Sequence, residues 1–176
     1  MENDNDYWRS HKLDFIPSKL SERISDFKNC TQIQLSKSQT LDQDEYFLDE
    51  AKKTKDLLIL TNFLSPDFKS ILTEIIKDDT QVSLIVSEKL YEKMIQEYYL
   101  DLADIIEIKR IHVYLYPDEI EFGSFVLTDE KVMFWLLTLE GDYDNETMIC
   151  SSDSAIQLAK EIFDYYKEKS KQATDI

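Results

Sequence analysis

The chain has 176 residues, 43% apolar and 12% aromatic, a balance that suits one globular domain rather than a disordered segment. Its 36 acidic and 20 basic residues leave a net charge of −16, which repels phosphate backbones and anionic membranes and argues against nucleic acid or a membrane as a direct partner. Two cysteines, Cys30 and Cys150, are too few for a disulfide framework or a four-thiolate metal site, and are read as free thiols acting as small hydrophobes. The opening MENDNDYW lacks the basic start and apolar core of a signal peptide, and no apolar run approaches the ~20 residues of a membrane span. A soluble, cytoplasmic, reduced protein is expected.

Along the chain, residues 1–6 are expected as a disordered tail, 7–170 as a single domain and 171–176 as a second tail. Tyr7 and Trp8 are large for a chain end and should pack on the domain or on a second copy. Pro17 opens a predicted helix, Ser18–Asn29, with Leu20, Ile24 and Phe27 on one face. Thr31–Leu35 alternates as a short strand, and Leu41–Thr54 as an amphipathic helix. Asp56 then leads into the strand LLIL. Ser65-Pro66-Asp67 reads as a capped helix start, followed by the stripe Phe68, Ile71, Leu72, Ile75 and Ile76 up to Asp78. Gln81–Ser87 is the next strand, so a parallel strand–helix–strand crossover is predicted. Ser87 should cap a helix Glu88–Leu102 whose inward residues are Leu90, Met94, Ile95, Tyr98 and Leu102.

Ile105–Tyr116 is strand-rich. Glu119–Leu139 reads as two strands around the turn Thr128–Lys131, and the second is too apolar to be exposed on either face. Gly141–Asn145 is loop, Met148–Cys150 a brief strand, and Ser151-Ser152 starts a last helix with Ile156, Ala159, Ile162, Phe163 and Tyr166 as its stripe. The fold class is α/β, a mixed sheet flanked by helices.

Catalytic motifs are scarce. Two glycines rule out a glycine-rich phosphate loop. His11 and His112 are far apart in sequence, and Ser124 lacks the surroundings of a nucleophile elbow. No cofactor or metal is expected. Tyr98, Tyr99, Tyr114, Tyr116 and Tyr143 either line an apolar pocket or rim the core with wet hydroxyls. The candidate ligand-binding set is Tyr98, His112, Tyr114, Tyr116, Asp129, Trp135 and Tyr143.

Several short motifs carry a resemblance: Asp6-Tyr-Trp-Arg-Ser-His11, Asp14-Phe-Ile-Pro17, Val126-Leu-Thr-Asp129, Gly141-Asp-Tyr-Asp144, and Ala155-Ile with Ile162-Phe-Asp-Tyr-Tyr166. From Tyr7 to about Lys167 the chain resembles the methanogenesis regulatory protein middle-domain family of archaeal regulators, departing from it at Leu158, where a tryptophan is expected. The resemblance implies an effector-sensing and dimerising half, with a homodimer and a small-molecule effector as partners. It also implies that DNA is met only through a fused winged helix-turn-helix. That module would precede Asp6, so the chain is expected as an excised fragment or a stand-alone relative. The fold further resembles half of a phospholipase D-like domain. Aligning that family's His-x-Lys-x-x-x-x-Asp on Asp129 puts Phe122 and Ser124 where nucleophile and cation belong, so no enzyme is expected. The alternatives are a dimerisation module without a ligand and a degenerate phosphodiesterase-like hydrolase.

Overall fold

A computed structural model describes residues 2–34, 45–76 and 79–174. Its strands are β1 (Thr31–Gln34), β2 (Asp56–Leu60), β3 (Gln81–Ser87), β4 (Ile111–Tyr116), β5 (Gly123–Leu127), β6 (Val132–Leu136), β7 (Glu146–Cys150) and β8 (Lys171–Ala173). Among the described residues they form one eight-stranded mixed sheet in the order β1-β7-β6-β5-β2-β3-β4-β8. β2, β3 and β4 run parallel because a helix joins each to the next, α3 (Phe68–Ile75) and then α4 (Glu88–Glu107). β5, β6 and β7 run antiparallel, and β5 returns to lie beside β2.

The β5–β6 hairpin sits near the centre, and every one of its strand residues is buried. Alternation of side chains divides it between two cores. Phe125, Leu127 and Phe134 face α1 (Glu2–Ser10), a 3₁₀ helix (Ser18–Asp26) and α5 (Asp153–Glu168). Val126, Met133 and Trp135 face α2 (Glu45–Lys53), α3 and α4. The turn between the strands is tied by Thr128, whose hydroxyl oxygen accepts the Lys131 and Glu130 N–H groups at 3.0 and 3.3 Å. Serine caps begin the two longest helices: Ser87 accepts the Leu90 N–H at 3.0 Å, and Ser152 the Ala155 N–H at 3.2 Å.

Several expectations are corrected. α4 continues to Glu107, because Ile105 follows Leu102 by one helical turn and both are buried; β4 starts only at Ile111. Non-helical backbone at Tyr98 kinks α4 in its middle. The segment after Pro17 is 3₁₀ and buries no residue fully, since Leu20 and Ile24 reach the core only in part. Ser65 does not cap α3: the helix starts at Phe68, and the Ser65 hydroxyl is buried without a partner. The expected tails hold structure, with α1 starting at Glu2 and β8 pairing with β4. Tyr7 and Trp8 pack on the domain itself. Expectations at Leu35, Leu41 and Asp78 lie outside the described residues.

The cysteines are the largest correction. Cys30 and Cys150 form a disulfide across 120 residues of sequence. The register that pairs Thr31 with Ile149 brings the two Cα atoms to 4.4 Å, so the sulfurs meet across the β1–β7 ladder.

Candidate functional site

Where β2 ends and β5 begins, a cavity of about 300 Å³ opens on the α3 side of the sheet. The chain visits β2, β3 and β4 in one direction and then returns to the other side of β2, so this is the switch point at which α/β sheets hold ligands. Ile59 and Leu84 form the floor, Phe47 and the α3 residues Phe68, Ile71, Leu72 and Ile75 form the wall, and Trp135, Leu137 and Tyr143 close one side. The described lining residues include no carboxylate, imidazole or amine.

Its polar corner is small and ordered. The Thr61 hydroxyl donates to the Phe63 carbonyl at 2.9 Å, and the Ser124 hydroxyl lies 2.6 Å from Thr61 Oγ1 and 3.3 Å from Asn62 Oδ1. With the Thr61 proton on a carbonyl, Ser124 donates to Thr61 or Asn62 and its own oxygen retains lone pairs. The corner therefore accepts a hydrogen bond from whatever enters. Trp135, 3% exposed, lines the cavity, and its indole N–H has no partner.

Gly123 makes this corner. In a regular strand Phe122 and Ser124 would share a face. Gly123, at φ 115°, reverses the side on which Phe122 falls: Phe122 packs between Phe15 and Tyr166 on the opposite core, and Ser124 turns to the cavity. A Cβ at Gly123 would stand 2.4 Å from the Trp135 carbonyl oxygen.

Of the seven residues expected to bind a ligand, Trp135 and Tyr143 line the cavity and the other five do not. Tyr98 packs its ring edge-on to Phe68 behind the wall. His112, on β4, lies between Gln81 of β3 and Gln172 of β8. Tyr114 sits under the Lys167 ammonium, and Tyr116 packs on Tyr166, both toward the other core. Partial burial, then the Asp118 carboxylate, raise the Tyr116 phenol above its ordinary pKa. Asp129 is at the far end of the hairpin, where its carboxylate accepts the Lys55 N–H at 2.8 Å. Beside it, Glu50 pairs with Lys131 at 3.0 Å.

Thr61, Ser124, Asn62 and the α3 residues are the lining that sequence reasoning missed as a site. The apolar stripe of α3 was visible, but nothing local marks a stripe that borders a void. Among the described residues, the groups able to hold a metal are elsewhere, at His11, Asp144 and Glu146.

The sequence model of the family described as "Methanogenesis regulatory protein FilR1, middle domain" matches residues 42–169. The chain belongs to this family. Over 174 residues it is 22% identical to the methanogenesis regulatory protein FilR1 of Methanothrix harundinacea (strain 6Ac), a match that covers 95% of this chain and 38% of that protein. The chain thus spans well under half the length of that relative, and the Asp6–His11 motif lies before the segment matched by the family model.

Solved structures of similar fold include TrmBL2, described as an archaeal chromatin protein (TM-score 0.60, 16% identity, 88% of this chain and 60% of that one). Nuc, a phospholipase D family member of Salmonella typhimurium, superposes at TM-score 0.58 with 11% identity over 82% of this chain and 97% of that one. The phosphatidylserine synthase of Haemophilus influenzae Rd KW20 does so at 0.56 with 16% identity, over 83% and 40%. At these identities the likeness establishes the fold, which is the phospholipase D-like α/β fold expected from the sequence. Among the described residues, no helix is long and apolar enough to cross a membrane.

Proposed function

We propose that this domain is the effector-sensing and dimerising part of a cytoplasmic archaeal transcriptional regulator, and that DNA is contacted through a separate helix-turn-helix. Family membership and the FilR1 relative support the regulatory reading. The observation that carries the sensing role is the switch-point cavity, apolar on nearly every side with a hydroxyl acceptor in one corner.

Such a lining selects a neutral, mainly apolar molecule with one N–H or O–H donor, because a phosphate or carboxylate would be desolvated there with no cation to meet it. A dimerisation module without a ligand would be expected to fill the space against Trp135. A hydrolase would need a nucleophile and a phosphate-binding cation near Asp129, whereas Asp129 accepts the Lys55 main-chain N–H and Lys131 is paired with Glu50. Exposed Tyr99 and Leu100 on α4, at 50% and 76%, support the dimerisation role.

Titration with N-phenyl-1-naphthylamine, a neutral fluorescent probe with one N–H donor, tests the reading. Saturable binding is expected, lost in Ile71→Trp, which fills the wall, and weakened about fivefold in Ser124→Ala, the loss of one hydrogen bond. A response that Ile71→Trp leaves intact would place the probe elsewhere and defeat the proposal.

A further inference from the structure

Two stretches read as family motifs, Asp6–His11 and Gly141–Asp144, are far apart in sequence and take no part in the cavity's polar corner. The structure brings their last residues together. His11 is 1% exposed, just beyond α1, held by main-chain bonds on both sides: Lys12 N–H to the Leu137 carbonyl at 2.8 Å and Leu139 N–H to the Ser10 carbonyl at 3.1 Å. Its ring stacks on Tyr7 with centroids 3.9 Å apart. Nδ1 lies 2.8 Å from the Tyr7 carbonyl oxygen, and a carbonyl can only accept, so Nδ1 carries the proton. In neutral His11, Nε2 then presents a lone pair, and 2.6 Å from it is Asp144 Oδ2.

A lone pair facing a carboxylate oxygen at that distance repels unless a proton or a metal ion joins them, and an ion with bonds of about 2.0–2.2 Å would open the contact beyond its present hydrogen-bond length. Glu146 adds a second carboxylate, and the candidate ligand atoms of the three residues all lie within 4.8 Å of one another. The other oxygen of Asp144 is already committed, accepting the Glu146 N–H at 3.2 Å, which aims Oδ2 at the imidazole. A histidine whose second nitrogen donates to a carbonyl, converging with one oriented carboxylate and a second nearby, is the arrangement of a metal-binding imidazole and its outer shell.

We propose that His11 Nε2, Asp144 and Glu146 bind a divalent first-row transition cation, of which Zn²⁺ is the representative. One imidazole and two carboxylates suit Zn²⁺, whose N and O ligands lie at about 2.0–2.2 Å, and leave a coordination position for water. Ca²⁺ and Mg²⁺ prefer all-oxygen shells of six or more ligands, which three residues including a histidine do not supply. The described cysteines are joined to each other, so no thiolate competes. The bound ion ties the end of α1 to the loop before β7, fixing the N-terminal helix against the sheet.

The test is calorimetric titration of the chelator-treated full chain with Zn²⁺. One equivalent is expected to bind, weakened at least about tenfold in both Asp144→Asn and Glu146→Gln, which spare the buried histidine. The exposed control Asp118→Asn should bind as the parent does, which separates the site from diffuse attraction to an acidic surface. Co²⁺ should give visible absorption bands with the parent chain and lose them with Glu146→Gln. Absence of a stoichiometric site, or one indifferent to both variants, overturns the proposal. So does nitrogen-15 NMR showing His11 doubly protonated at Zn²⁺ saturation, which leaves an imidazolium–carboxylate pair and no metal.

Discussion

The two faces of the sheet are built on opposite plans. On the α1 and α5 side, Phe15, Phe27, Phe125 and Phe134 interlock with ring centroids 5.0–6.4 Å apart, and Tyr7 and Phe163 are as deeply buried. Two of the phenols in this layer are satisfied by main chain, Tyr7 Oη accepting the Leu136 N–H at 3.1 Å and the Tyr166 hydroxyl donating to the Phe15 carbonyl at 2.8 Å, whereas the Trp8 indole N–H is buried without a partner. Burial pushes both phenols well above their ordinary pKa. The disulfide belongs to this layer too. On the α3 side, aliphatic residues of β2 and β3 meet an eight-residue helix, and the layer stays open where β2 ends. Interlocked rings make a closed layer; a short crossover helix over a chain reversal leaves room for a ligand.

The sharpest way to break this contrast is to truncate matched residues on the two faces. Leu136→Ala, fully buried in the closed layer, should cost about 3–5 kcal/mol in urea unfolding. Leu72→Ala, which borders the cavity, should cost nearer the ~2 kcal/mol end of the range for buried leucines, because its neighbours already lack part of their contacts. Equal losses would mean that the α3 face is as tightly packed as the other.

Opening the disulfide tests how far the closed layer depends on its clasp. A loop of this length implies a loss of about 2–5 kcal/mol in Cys150→Ala, read as a lower melting temperature than that of the parent chain. Probe binding in the cavity, on the opposite face, should survive.

The smallest effect is expected at the wall of the cavity. Ile71→Trp adds volume into space that already exists, so its stability should stay within about 1 kcal/mol of the parent while probe binding disappears. Substantial destabilisation would mean that the space closes in solution.

Much of the fold was legible because its causes are local. Ser87 reads as a cap and Ser151-Ser152 as a helix start from their position before periodic apolar runs, and Ser87 and Ser152 each accept an N–H of the first turn. The almost unbroken apolar stretch Val132–Leu139 reads as a strand buried on both faces, and its first five residues, Val132–Leu136, form one. The misreadings arise where local signals compete. Ile105 and Ile106 have strand-forming side chains, but the spacing from Leu102 kept them on the buried side of α4. The tyrosines of β4 were natural pocket candidates by type, yet alternation turned Tyr114 and Tyr116 toward the closed layer.

By itself the sequence determined the α/β class, the parallel crossover, the central hairpin and the family, all of which follow from period, capping and motifs within a few residues of one another. Tertiary structure alone decided the rest. The Cys30–Cys150 bond spans 120 residues, the His11–Asp144 contact spans 133, and the Thr61–Ser124 corner spans 63. Each depends on strand register, and the Ser124 corner depends also on the backbone of Gly123, whose positive φ reverses one side chain. Pattern and turn geometry fix register within a hairpin, but which residues of strands distant in the chain stand opposite one another is settled only where those strands meet in space.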